Sequence, residues 1–178
     1  MARSTTVPSA KNRPQRAPAP ALPPFESLDR VHHRIVEMLG RFDKLLEHID
    51  DNGADDDART MAAEIHAFFQ EHARQHHADE ERHVFPQLLA SGNATLVDAV
   101  KRLQQDHGWL EEDWLELAPQ IEAVANGYGW YDLAMLKLAL PVFTALYHEH
   151  IGLEESLIYP EAKRRQAALD KGAAQRHS

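Results

Sequence analysis

The chain has 178 residues, 43% of them hydrophobic, a formal net charge of −9 and no cysteine. That length suits one domain with a sizeable core plus some tail. The missing cysteines exclude disulfides, thiolate zinc sites, cysteine-held iron–sulfur clusters and thiol catalysis, and the acidic balance argues against a nucleic-acid surface.

The first 24 residues, MARSTTVPSAKNRPQRAPAPALPP, hold four basic residues, no acid and six prolines. Such a segment buries too little apolar surface to fold, so residues 1–24 are expected to be a disordered, partly polyproline basic arm. It lacks the apolar stretch of a secretory signal. No later run approaches the roughly 20 apolar residues of a membrane helix, so no membrane association is expected and the expected location is cytoplasmic.

From residue 25 onward, apolar residues recur at helical spacing and β-branched alternation is missing. FESLDRVHHRIVEMLGRFDKLLEHID places Ile35, Leu39, Phe42 and Leu46 on one stripe, and DNGADDD breaks it. A second helix starts near Asp57, carries Met61, Ile65, Phe69 and His72 on its stripe, and runs to ASGN. The third starts around Ala94 and ends at NGYG, and the fourth starts near Trp130 and fades after Leu169. Short breaks between long amphipathic helices make neighbours antiparallel. The expectation is an all-α, up-down-up-down four-helix bundle over residues 25–168, followed by a flexible tail over 169–178.

One phrase occurs twice: HHADEERHVFPQ from His76 and HIGLEESLIYPE from His150. Both read H-x-x-x-E-E-x-x-aliphatic-aromatic-P. A lone histidine, His32 or His107, precedes each phrase on the helix before it. A helical residue rises about 1.5 Å, so residues equally far from a shared turn share a level. His32 and the middle of His76–Glu80 each stand about 20 residues from the first turn, and His107 and the middle of His150–Glu154 about 20 from the third. His32, His76, Glu80, His107, His150 and Glu154 should therefore form one layer across the core. Carboxylates buried there without compensation would cost several kcal/mol each. Two divalent cations, each bridged by both glutamates, resolve that cost. Mixed imidazole and carboxylate ligation suits Fe or Mn, with Zn as a further option. These six ligands plus a bridging hydroxide fill about 10 of the roughly 12 positions of two octahedral ions, leaving the remainder to a small molecule.

With a lone histidine on each preceding helix, the two phrases resemble the hemerythrin-like HHE cation-binding domains over about residues 25–168. The resemblance implies a non-haem di-iron centre, oxo- or hydroxo-bridged, with the family's ligand pattern on the same six residues. It also implies a small diatomic ligand, O₂ or NO, or peroxide as partner. The oxygen carriers of that family have a second ligand histidine four residues before the one matching His107, and here Leu103 stands there. Their acid on the last helix follows its histidine by five residues, whereas Glu154 follows His150 by four. Both departures favour sensing of, or reaction with, O₂, NO or peroxide, or iron handling, over stable oxygen carriage.

Periodicity selects His32 over His33, whose position four residues on is Glu37 rather than an apolar side chain. Glu81 and Glu155 lie about 100° round from Glu80 and Glu154 and read as surface charges or outer partners. His72 reads as an outer donor or exchangeable ligand, Tyr147 as a pocket or core residue, and His77 carries no specific signal. Pro86 and Pro160 should end or kink their helices. A ferritin-like iron store or ferroxidase would need two E-x-x-H pairs, and only Glu80–His83 has that spacing. A metal-free interaction bundle leaves the polar layer unexplained.

Overall fold

The computed structural model describes residues 25–176. The basic arm expected over residues 1–24, and the last two residues of the tail, lie outside the described residues.

Helix α1 covers Phe25–Asn52. Its buried Leu28, His32, Ile35, Leu39, Phe42, Leu46 and Ile49 fall alternately four and three residues apart, the stripe that turns one helical face inward. Helix α2 is a continuous helical run over residues 56–89, α3 covers Ala94–Ala125, and α4 runs over residues 133–176. The last helix thus continues past residue 168, where the sequence pattern placed the end of the bundle. Starts and stops follow local chemistry. Asp55, Asn93 and Asp132 each accept a hydrogen bond from the backbone N–H three residues on, which satisfies an orphan donor of the first turn. Gly53, Gly92 and Gly127, just past the ends of α1, α2 and α3, sit at φ of 77°, 70° and 72°, where glycine carries no Cβ penalty.

Each helix packs on two others in a closed ring, α1 on α2, α2 on α3, α3 on α4 and α4 on α1. Among the described residues there is no strand, and the architecture is the expected all-α bundle. Apolar side chains form two clusters. One extends from Ile35 through Phe69, Trp114 and Phe143 to Ile151, and the other gathers Leu28, Val84, Phe85, Leu103, Ile158 and Tyr159. Between them on each helix lies a polar residue: His32 on α1, His76 and Glu80 on α2, His107 on α3, His150 and Glu154 on α4. The layer expected from residue counting is therefore a polar slab between two apolar cores.

Two features depart from simple α-helical reading. Helix α2 contains π-helical turns at Phe68–Ala73 and Glu80–Val84, and α4 contains one at Glu154–Ile158. Pro86 and Pro160 do not end their helices, which run on to Leu89 and Arg176. Each proline comes two residues after a π turn that closes with an N–H bonded five residues back, Phe85 to Glu80 and Tyr159 to Glu154. The hydrogen-bond ladder is already shifted there, so a missing donor is tolerated.

Phe42, fully buried on α1, should cost about 3–5 kcal/mol when cut to alanine. Leu138, 77% exposed on α4, should cost no more than about 0.5 kcal/mol. Urea unfolding of the two variants beside the parent tests which face of each helix holds the bundle together.

Candidate metal centre

All six expected side chains meet in the slab, and none is more than 6% exposed. Two of the described groups of mutually close donor atoms matter first: His32, His76, Glu80 and Glu154, and Glu80, His107, His150 and Glu154. Both carboxylates belong to both groups, so each hairpin supplies its own imidazole pair and the glutamates are shared. Glu80 divides its oxygens. Oε1 lies 3.4 Å from His76 Nε2 and 3.9 Å from His32 Nε2, while Oε2 lies 3.5 Å from His107 Nε2. Glu154 Oε2 stands 3.1 Å from His32 Nε2 and 3.4 Å from His150 Nε2.

Fit to a cation can be judged from unmet hydrogen bonding. Among the described residues, twelve buried side-chain N and O atoms lack a hydrogen-bond partner, and eight belong to His76, Glu80, His107, His150 and Glu154. Orphan donors and acceptors at this density are costly in a folded core. Nitrogen and carboxylate oxygen atoms converging this closely are the donor set that divalent cations satisfy.

An outer ring of contacts orients the imidazoles. Glu155 accepts from His32 Nδ1 at 3.1 Å, and Glu81 from His107 Nδ1 at 2.9 Å. A proton fixed on Nδ1 leaves the Nε2 lone pair aimed into the slab. The phenol of Tyr159 donates to Glu80 Oε1 and lies 3.1 Å from His32 Nε2, while its ring stacks on His32 at 5.1 Å. Phe85 stacks in the matching way on His107 at 5.6 Å. The aromatic of each repeated phrase thus covers the lone histidine of the other hairpin, but only Tyr159 brings a hydroxyl. Asp106, 2% exposed, puts Oδ2 3.8 Å from His150 Nδ1.

Electrostatics sort the groups. Burial pushes His76 down to about 4, against the pull of Glu80. It also lowers His77, and it lowers His150 despite Asp106. His107 is raised: burial opposes its charged form, but hydrogen bonds to Glu80 and Glu81 prevail. Burial and then the neighbouring Glu80 charge lift Glu154 well above the carboxylate range. Glu80 is held below that range, because the His76, His77 and His107 imidazoles outweigh its burial. Without a cation, the pair therefore behaves as one carboxylic acid beside one carboxylate.

Of the adjacent histidines on α1, His32 is buried and His33 exposed. His72 is also exposed, because Ala73, three residues before His76, takes the inward position. His83 is half-buried and in none of the donor groups. Three residues without a sequence assignment stand at the site: Tyr159, Asp106 and His77. For Tyr159 the signal was the Phe-to-Tyr difference between the two phrases. For Asp106 and His77 there was none, since their counterparts in the other hairpin are Val31 and Ile151. A cavity of about 630 Å³ between α2 and α3 reaches the slab past Phe69, Ala73, Trp114 and Tyr147, ending at His77 and His107. Arg74 and Glu111 pair at 2.5 Å among its lining. Tyr147, singled out from its spacing, therefore lines this approach.

A helical bundle with two His/Glu groups sharing two carboxylates defines a cation-binding four-helix protein. The model of the hemerythrin HHE cation-binding domain matches residues 24–162, and the chain belongs to that family. It is 28% identical over 134 residues to an uncharacterized protein of Haemophilus influenzae, spanning 75% of this chain and 76% of that one. No solved structure matches it significantly. No described helix is long and apolar enough to cross a membrane.

The shifts give metal-free protein a pH signature. Below the ordinary histidine value of 6.5, the unfolded chain binds protons that folded His76, His77 and His150 refuse. His107, being raised, is protonated in both states there. Above the ordinary value of 4.5, Glu154 opposes this by keeping a proton that the unfolded chain has lost. The two protons refused by His76 and His77 outweigh the one retained by Glu154, and His150 shifts the balance the same way, so stability falls as pH drops from 6.5 to 4.5. The urea midpoint of metal-free protein should be lower near pH 5 than near pH 7, and an equal or higher value would contradict this balance.

Proposed function

We propose that the protein is a non-haem di-iron protein that binds, senses or reacts with O₂, NO or peroxide. The centre is made by His32, His76, Glu80, His107, His150 and Glu154. The observation that carries this reading is the sharing of Glu80 and Glu154 between two imidazole pairs in one buried slab. Imidazole with carboxylate suits iron, and Mn or Zn could occupy the same donors. Iron there would supply redox activity and open coordination positions.

The chain's own residues supply the rest. Glu81 and Glu155 fix the orientation of His107 and His32. Tyr159 holds Glu80 in place and covers the ring of His32. The cavity between α2 and α3 gives a small molecule a route to the His107 side, between apolar side chains such as Phe69 and Trp114 and polar ones such as Gln70 and Gln104. That His83 stays out of the donor groups favours this reading over a ferritin-like oxidase built on E-x-x-H pairs.

Protein expressed with ample iron should hold about two irons per chain, and elemental analysis finding only traces would end the di-iron reading. His76→Ala and Glu154→Ala should each lose most of the metal. Binding at parental stoichiometry in both would make the ligand set wrong. Stopped-flow mixing of the reduced protein with O₂, NO and H₂O₂ separates reaction from carriage. Rapid irreversible oxidation is expected, and a stable O₂ adduct released on degassing would show carriage instead.

A further inference from the structure

We propose that His77 is a fifth imidazole donor to the centre, completing a three-histidine set with His107 and His150 on the side facing the cavity. The inference rests on the di-metal reading above. It starts from a third group of close donor atoms, with one ligand nitrogen each from His77, His107 and His150 and all three within 4.8 Å of one another. Donors around one octahedral ion, at bonds of about 2.1 Å, stand roughly 3 Å apart when adjacent and 4.2 Å when opposed. The spread of the triad is within modest side-chain movement of that range.

Two further observations agree. The His77 ring stacks on that of His107 at 4.1 Å and 13° and meets His150 edge-on at 5.5 Å, so it must turn about its Cβ–Cγ bond to aim a nitrogen at an ion held in the plane of His107. Its Nε2 is closed to solvent and has no hydrogen-bond partner, which is costly for an imidazole nitrogen in a protein interior. The triad includes neither Glu80 nor Glu154, and His77 forms part of the wall of the cavity between α2 and α3.

The addition is one-sided. Ile151 holds the matching position on α4 and has no donor atom. His32 and His76 therefore gain no third imidazole, and the two ions would be unequal: three histidines on the α3 side and two on the α1 side.

Metal-free full-length protein titrated anaerobically with Co(II), followed by visible absorption and calorimetry, tests this. The parent should bind two ions of different affinity. His77→Ala and His77→Phe should weaken one ion on the order of 10- to 100-fold and change its visible bands, leaving the other ion unaltered. The phenylalanine keeps a ring against His107 but offers no nitrogen, so recovery of parental binding in His77→Phe alone would assign His77 to packing and overturn the proposal. Two ions bound with parental affinities and spectra in both variants would overturn it equally. His76→Ala should instead weaken the ion on the α1 side. A parent that binds no metal would overturn the di-metal reading itself. That outcome is distinct from a parent holding two ions with indifferent His77 variants.

Discussion

Glu80 and Glu154 are both fully buried, and they approach the same imidazoles from opposite helices. Two like charges in an apolar interior cannot both ionise without a compensating charge, and the rest of the structure can be read as the response. Burial holds His76 and His150 towards the neutral form while hydrogen bonds favour the protonated form of His107, and imidazole nitrogens on all four helices face the carboxylates. Tyr159 spends its one proton on Glu80, and Glu81 and Glu155 hold protons on the outer nitrogens of His107 and His32. No arrangement of these protons satisfies every atom, as the unpartnered oxygens of Glu154 and nitrogens of His76 and His150 show. A cation-binding domain resolves the deficit with the ions themselves, which is why the apolar clusters stop on either side of the slab instead of closing through it.

The slab is built twice from the same phrase, but the copies have been made unequal. Tyr159 faces His32 where Phe85 faces His107, a buried Asp106 carboxylate stands 3.8 Å from His150 where Val31 offers His76 no polar atom, and His77 stands opposite Ile151. Ala73 and Tyr147 form another such pair. The small side chain on α2 leaves room beside α3, and the tyrosine on α4 forms the far wall of the same cavity. These differences place a hydrogen-bonded phenol over His32 and a cavity lined by His77 and His107 on the α3 side, while a second cavity between α1 and α2 is lined by His76. Symmetry supplies the two imidazole pairs, and its breaking gives them different surroundings.

Much of this was legible in the sequence because it depends on counting. The stripe from Leu28 to Ile49 is periodic, and equal distances from shared turns fixed the depth of His32, His76, His107 and His150 without any knowledge of packing. What escaped depends on angle and volume. His72 and Ala73 both fall near the inward face one turn before His76, and only the packing of α2 against its neighbours decides between them. His77, about 100° from His76, has an ambiguous direction, and it turns towards the slab beside the space left at Ala73. The π turns at Glu80 and Glu154 leave no mark in the apolar pattern. Without them, the prolines at 86 and 160 read as stops or kinks.

Leu103 shows how the two kinds of information combine. As a sequence difference, a leucine in place of a ligand implies a centre with one donor fewer and a more open ion. In the fold, Leu103 is fully buried and packs with Val84, Phe85 and Ile158 beneath the slab. It is thus part of the apolar floor beneath the His/Glu slab rather than a hole beside it. Access is set elsewhere, by Ala73, by the Arg74–Glu111 pair among the cavity's lining residues, and by the position of His77 at its inner end. The surroundings of the His107–His150 pair are therefore governed by α2, the helix that carries both a repeated phrase and the residues by which that phrase departs from its copy.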